Sequence, residues 1–131
     1  MKQFLYLSIF ASVLFSCNSN ESVEVGNKTT MEIEPEFNAG DVQKGEIIHA
    51  TFHVKNTGNY PLVIASVQGS CSCTVASKPD EPIQPGEETI IKAEVNTDKT
   101  PSGEIAKPVT LVANTEKSIV QVLIKANVIN K

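Results

Sequence analysis

In the segment from Ser118 to Val128, every second residue from Val120 onward is apolar. These residues are Val120, Val122, Ile124, Ala126 and Val128. Since successive side chains of a β-strand point to opposite faces, this period of two predicts a strand with one buried face. The same period recurs in Glu46–Lys55, where the predicted inward residues are Ile48, Ala50, Phe52 and Val54, and in Glu88–Val95. Such segments restrict the chain to a core built from β-sheets.

Shorter segments of the same kind fill the rest of the chain. They are Met31–Phe37, which Pro35 marks as an edge strand, Leu62–Val67, Cys71–Val75 and Lys107–Ala113. Turn residues such as Asn56–Asn59, Pro85-Gly86 and Asn114–Glu116 separate the strands. About seven short strands with no helical segment predict a single immunoglobulin-like antiparallel β-sandwich.

The N-terminus has the pattern of a targeting segment. Lys2 precedes a mainly apolar run from Phe4 to Phe15, which is shorter than the ~20 residues of a membrane-spanning helix and typical of a signal peptide. The run ends in Leu14-Phe15-Ser16-Cys17, which resembles a bacterial lipobox. The resemblance implies that Cys17 becomes the first residue of the mature chain and carries acyl groups such as palmitate. An ordinary secretory signal with an unmodified cysteine is the alternative.

These features predict three regions. Residues 1–16 form a lipoprotein signal peptide, residues 17–30 a lipidated flexible tether, and residues 31–131 the Ig-like domain. We expect the protein in the envelope of a Gram-negative bacterium, anchored through Cys17 and facing the periplasm or the cell surface. The net charge of −4 gives no attraction to anionic lipid, so the acyl chains must supply the membrane affinity.

Composition argues against several functions. All eleven basic residues are lysines and aromatic residues make up only 5%, so we expect no nucleic-acid partner. The sequence contains no nucleophile elbow and no glycine-rich phosphate loop. We therefore expect no enzymatic activity and no cofactor.

Cys71 and Cys73 are the strongest candidates for chemistry. In an extended strand their Cα atoms would lie about 6.6 Å apart on one face, a spacing at which two thiolates could bind copper or zinc. A structural zinc site needs about four ligands, and the remaining candidates are His49 and His53. These histidines would lie about 13 Å apart on the outward face of one strand. We therefore expect no metal site.

A disulfide between the two cysteines requires a turn at Ser72, because a bridge needs Cβ atoms about 3.8 Å apart. Such a bridge would favour a thiol-redox protein. No basic residue adjoins the pair to lower the pKa of a thiol. The simpler expectation is that one or both thiols pack as small apolar groups.

The order of several short motifs resembles a known family. The motifs are Phe37-x-x-Gly40, Gly45, His49-x-x-Phe52-x-Val54-x-Asn56-x-Gly58, Leu62-x-Ile64, Cys71-x-Cys73-Thr74 and Pro85-Gly86. Together they resemble a family of bacterial lipoproteins and periplasmic proteins of unknown function with an Ig-like fold, over Glu36–Val128. That family usually has glycine between the two cysteines, where this chain has Ser72. A broader resemblance to Ig-like modules of cilia, centrosomes and major sperm proteins implies an interaction module.

The sequence therefore predicts a lipid-anchored envelope protein that acts as a non-catalytic protein-binding or structural module. Strand addition at an exposed sheet edge is a suitable binding mode, and the partner is expected to be an envelope protein. The alternative is a copper- or zinc-binding or thiol-redox protein that uses Cys71 and Cys73.

Overall fold

The computed structural model describes residues 26–131. The predicted signal peptide, Cys17 and most of the predicted tether lie outside this range. The strands are β1 (Met31–Ile33), β2 (Glu36–Gln43), β3 (Ile47–Asn56), β4 (Ile64–Gly69), β5 (Thr74–Ser77), β6 (Glu88–Asn96), β7 (Gly103–Ala113) and β8 (Ile119–Ile129). One 3-10 turn spans Thr97–Lys99. No helix within the described residues is long and apolar enough to cross a membrane.

Two four-stranded sheets form a sandwich, which confirms the predicted fold class. One sheet has the order β1-β3-β6-β5 and the other β2-β8-β7-β4. Neighbouring strands are antiparallel except for β2 and β8, which are parallel. The described residues therefore contain eight strands, one more than the approximate number that the sequence predicts.

The additional strand arises because Pro35 divides the predicted Met31–Phe37 strand. β1 pairs with β3 from Met31 opposite Asn56 to Ile33 opposite Val54. Pro35 has no N–H for this ladder, and its carbonyl oxygen instead accepts a hydrogen bond from the Leu123 N–H at 2.9 Å. The chain thus leaves one sheet after Ile33 and enters the other as β2.

The core lies between the two sheets, on the faces that the period of two identifies. Ile48, Ala50, Phe52 and Val54 of β3 are all at most 4% exposed, as predicted. They pack with residues of the opposite sheet, including the fully buried Leu111 and Ile124. Each large aliphatic or aromatic side chain buried in this way stabilises the fold by about 1.5–3 kcal/mol.

Contacts with the sandwich begin before Met31, among residues that the sequence assigns to the tether. Thr29 is only 3% exposed, and its N–H donates to the Asn114 carbonyl oxygen at 2.9 Å. The Thr29 hydroxyl also donates to Asn56 Oδ1 at 2.9 Å. These bonds to buried groups attach the last tether residues to the sandwich, and composition alone does not reveal them.

Candidate functional site: a cysteine turn and an open strand edge

Cys71 and Cys73 lie in a turn that links β4 to β5, and a disulfide joins them. Their Cα atoms are 5.2 Å apart, closer than the roughly 6.6 Å of an extended strand. The Thr74 N–H donates to the Cys71 carbonyl oxygen at 3.1 Å, which closes the turn around Ser72. The predicted Cys71–Val75 strand is therefore wrong at its start, and β5 begins at Thr74.

Gly69 allows the chain to return closely on itself after this turn. A Cβ atom at Gly69 would lie only 2.6 Å from both the Cβ and the carbonyl oxygen of Thr74, so no side chain fits there. On either side, the Ser70 N–H donates to the Pro108 carbonyl oxygen at 3.1 Å, and the Asn96 N–H donates to the Cys73 carbonyl oxygen at 2.8 Å. The turn is thus attached to both sheets through β7 and β6.

The two cysteine residues differ in burial. Cys73 is 4% exposed, whereas Cys71 is half-buried. The Thr74 hydroxyl oxygen lies 3.7 Å from each Sγ atom. The expectation that one or both thiols pack as free apolar groups is corrected, because a disulfide joins the two cysteines in the turn at Ser72. A disulfide with one accessible sulfur is open to attack by an external thiolate.

His49 and His53 lie on the outer face of β3, as predicted, and both are exposed. His49 Nδ1 is 3.1 Å from Glu94 Oε1, with 70% and 54% of the two side chains exposed, so the pair contributes at most about 1 kcal/mol. His53 is opposite Ile90. The structure does not bring either histidine together with the buried Cys73. Within residues 26–131, no group of three His, Cys, Asp or Glu side chains could hold a metal ion.

A second feature, which the sequence did not reveal, is an open edge on β3. One side of β3 pairs with β6 along Ile47–Lys55. On the other side, the ladder with β1 ends at Val54. Within the part of the chain that the structure describes, Ile47–Phe52 therefore has no partner strand on that side. We call this segment the open edge.

Backbone groups of alternate residues face the open edge. At the end of β3, the Asn56 N–H and C=O bond to Glu87 and Gly86, on the β6 side, while the Thr57 N–H bonds to Thr30, on the β1 side. Along an antiparallel strand, successive residues direct their N–H and C=O groups to opposite sides of the strand. The N–H and C=O groups of His49 and Thr51 therefore point toward the open edge, and those of Ala50 and Phe52 point toward β6.

A shallow groove runs beside the open edge, between β3 and β2. Its lining includes Phe37, Ala39, Val42 and Ile48. The side chains of Phe37, Ala39 and Val42 are only partly buried, although they pack against the core. The groove thus combines unpaired backbone groups with apolar contact surface. Pro35 is the one sequence signal that could have indicated it, because Pro35 ends the pairing of β1.

Solved structures show the same fold in proteins of several kinds. A protein of unknown function from Porphyromonas gingivalis W83 superposes with a TM-score of 0.69 at 20% identity, over 83% of this chain and 51% of that chain. The chain thus spans about half the length of that protein. The ASH/PapD-like domain 7 of human CEP192 gives a TM-score of 0.57 at 12% identity, over 79% and 88% of the two chains.

The periplasmic chaperone SfaE gives a TM-score of 0.52 at 10% identity, over 75% of this chain and 57% of that chain. At these identities the similarities establish the fold alone. The comparison with curated proteins found no match. Residues 19–128 match the family described as "Protein of unknown function (DUF1573)". This match covers most of the chain, and the protein belongs to the DUF1573 family.

Proposed function

We propose that the protein is a non-catalytic, lipid-anchored module of the cell envelope that binds an extended segment of another protein at the open edge. The observation that carries this proposal is the unpaired side of β3 at Ile47–Phe52, next to an apolar groove. The Ig-like fold supports it, because edges of such sheets can accept an additional strand.

Strand addition would satisfy backbone groups that are otherwise left to water. An incoming strand would donate to and accept from the backbone of His49 and Thr51, extending the sheet in line with β1. Alternate side chains of that strand would point inward, toward Phe37, Ala39 and Val42. Main-chain hydrogen bonds would supply affinity, and the width of this groove would select the inward side chains.

Cross-linking within intact envelopes tests this binding mode when it is combined with a backbone substitution. A photoreactive amino acid replaces His49, and Thr51 is changed to proline or to valine in the full-length chain. Thr51→Pro removes the N–H that faces the open edge. The backbone N–H groups that hydrogen-bond β3 to β6 remain. Thr51→Val keeps this N–H and a side chain of similar size.

We expect a reproducible adduct with a protein partner from the otherwise unchanged chain and from the Thr51→Val variant. In the Thr51→Pro variant, the adduct should decrease by about tenfold, since a main-chain hydrogen bond to the incoming strand is lost. Circular dichroism of both purified variants checks that the sandwich remains folded. An adduct of equal yield in the proline and valine variants would refute strand addition at this edge.

A further inference from the structure

We propose that the Cys71–Cys73 disulfide is a stoichiometric exchange site that accepts two electrons from an exported dithiol protein, with Cys71 as the attacked sulfur. This site is separate from the proposed binding surface. It adjoins β5, whereas the open edge belongs to β3, and β6 lies between these two strands.

The difference in burial determines which sulfur an external thiolate can reach. An attacking thiolate approaches one sulfur from the side opposite the sulfur that leaves. Cys71 is half-buried and Cys73 is 4% exposed, so the accessible approach is toward Cys71 Sγ. Cys73 Sγ is then the leaving group.

Thr74 is placed to stabilise the leaving sulfur. Its hydroxyl oxygen is 3.7 Å from Cys73 Sγ and belongs to a residue that is 6% exposed. A hydroxyl hydrogen bond to a thiolate favours the charged form over the neutral thiol. The same hydroxyl is also 3.7 Å from Cys71 Sγ, and it can rotate to serve either sulfur.

Backbone hydrogen bonds hold the turn in addition to the disulfide. Backbone hydrogen bonds hold Ser70 to Pro108, Thr74 to Cys71 and Asn96 to Cys73. The bridge itself encloses only Ser72, with a sequence separation of 2. A disulfide that closes so short a loop restricts the unfolded chain less than one that closes a long loop. Reduction can therefore occur in the folded protein.

The exchange balances in two steps. The first thiolate of the dithiol bonds to Cys71 Sγ, and the electron pair of the broken S–S bond passes to Cys73 Sγ, which takes up a proton. The second thiolate of the dithiol then attacks its own partner sulfur in the mixed disulfide. This step releases Cys71, which also takes up a proton. The dithiol is oxidised to a disulfide, and the Cys71–Cys73 bridge is reduced to two thiols.

The test uses the full-length chain carrying Cys17→Ser, so that only two cysteines remain. Dithiothreitol serves as the dithiol and glutathione as the monothiol, both without denaturant. Dithiothreitol should yield two alkylatable thiols with an unchanged circular dichroism spectrum. Glutathione should form a mixed disulfide that peptide mapping places on Cys71.

Two matched variants test the asymmetry in the same background. In the Cys73→Ser variant, the remaining Cys71 thiol should react with a chromogenic disulfide at least about tenfold faster than the remaining Cys73 thiol in the Cys71→Ser variant. The two rates should become equal in denaturant. Any one of four results would overturn the proposal. They are reduction only in denaturant, equal reaction rates of the two folded variants, a glutathione adduct on Cys73, and two free thiols after air oxidation.

Discussion

Asn56 shows how much structure can depend on one side chain. It is fully buried, and its Nδ2 group donates to the carbonyl oxygens of Tyr60 and Ile83 at 2.7 and 2.8 Å. Its Oδ1 atom accepts from the Thr29 hydroxyl and from the Gly58 N–H at 2.9 and 3.0 Å. The amide thus connects three loops at one end of the sandwich. From the sequence, Asn56 could be interpreted only as a turn residue and part of a family motif.

Asn56→Ala should destabilise the protein by about 3 kcal/mol, because it leaves several buried donors and acceptors without partners. Asn56→Asp should be similarly harmful, since a carboxylate cannot donate to the two carbonyl oxygens. Asn59→Ala, at an exposed position three residues away, is the matched control and should change stability by less than about 0.5 kcal/mol. Urea denaturation midpoints measure these effects. Equal midpoints for Asn56→Ala and Asn59→Ala would contradict the structural role of this amide.

At the scale of elements, the sequence predicted β3, β6 and β8 well, but only the Lys107–Ala113 part of β7. The period of two identifies the buried faces of β3, β6 and β8, because each of these strands has one face in the core and one in solvent. The turn residues around Asn56–Asn59 and Pro85-Gly86 also lie between strands, as predicted.

The arrangement of the short elements could not be predicted in this way. The parallel pairing of β2 with β8 joins residues such as Phe37 and Ile124 that are far apart in sequence, and no local pattern encodes it. The cysteine turn escaped prediction for a different reason. Alternation in Cys71-Ser72-Cys73 is compatible with either a strand or a turn, and the backbone bonds that attach the turn to Pro108 and Asn96 are tertiary.

At the scale of the whole molecule, the chain enters the sandwich at one end of β3. Thr29 and Thr30 bond to Asn56 and Thr57 there, whereas the open edge extends from Phe52 toward Ile47, away from this point. In the proposed arrangement, the tether would join the sandwich at this end, and the open edge would remain accessible to a partner in the envelope.

Under the proposed lipid anchoring, Cys17→Ser should release the protein from the membrane fraction, because acyl chains would supply about 0.8 kcal/mol per buried CH₂ and the anionic chain offers no electrostatic substitute. Fractionation of cells that express the unchanged and substituted full-length chains measures the effect. Ser16→Ala, which keeps a small residue before Cys17, serves as the matched control and should remain in the membrane fraction. Retention of the Cys17→Ser variant in membranes would contradict lipid anchoring.

Amide hydrogen exchange on the purified full-length chain tests most directly whether β3 presents an open edge. The N–H groups of Ala50 and Phe52 point toward β6, and those of His49 and Thr51 point toward the open edge. We predict that the His49 and Thr51 amides exchange at least about 100-fold faster than those of Ala50 and Phe52. Strong and equal protection of all four amides would show that another segment already covers this edge, and would contradict the account of β3 as a binding surface.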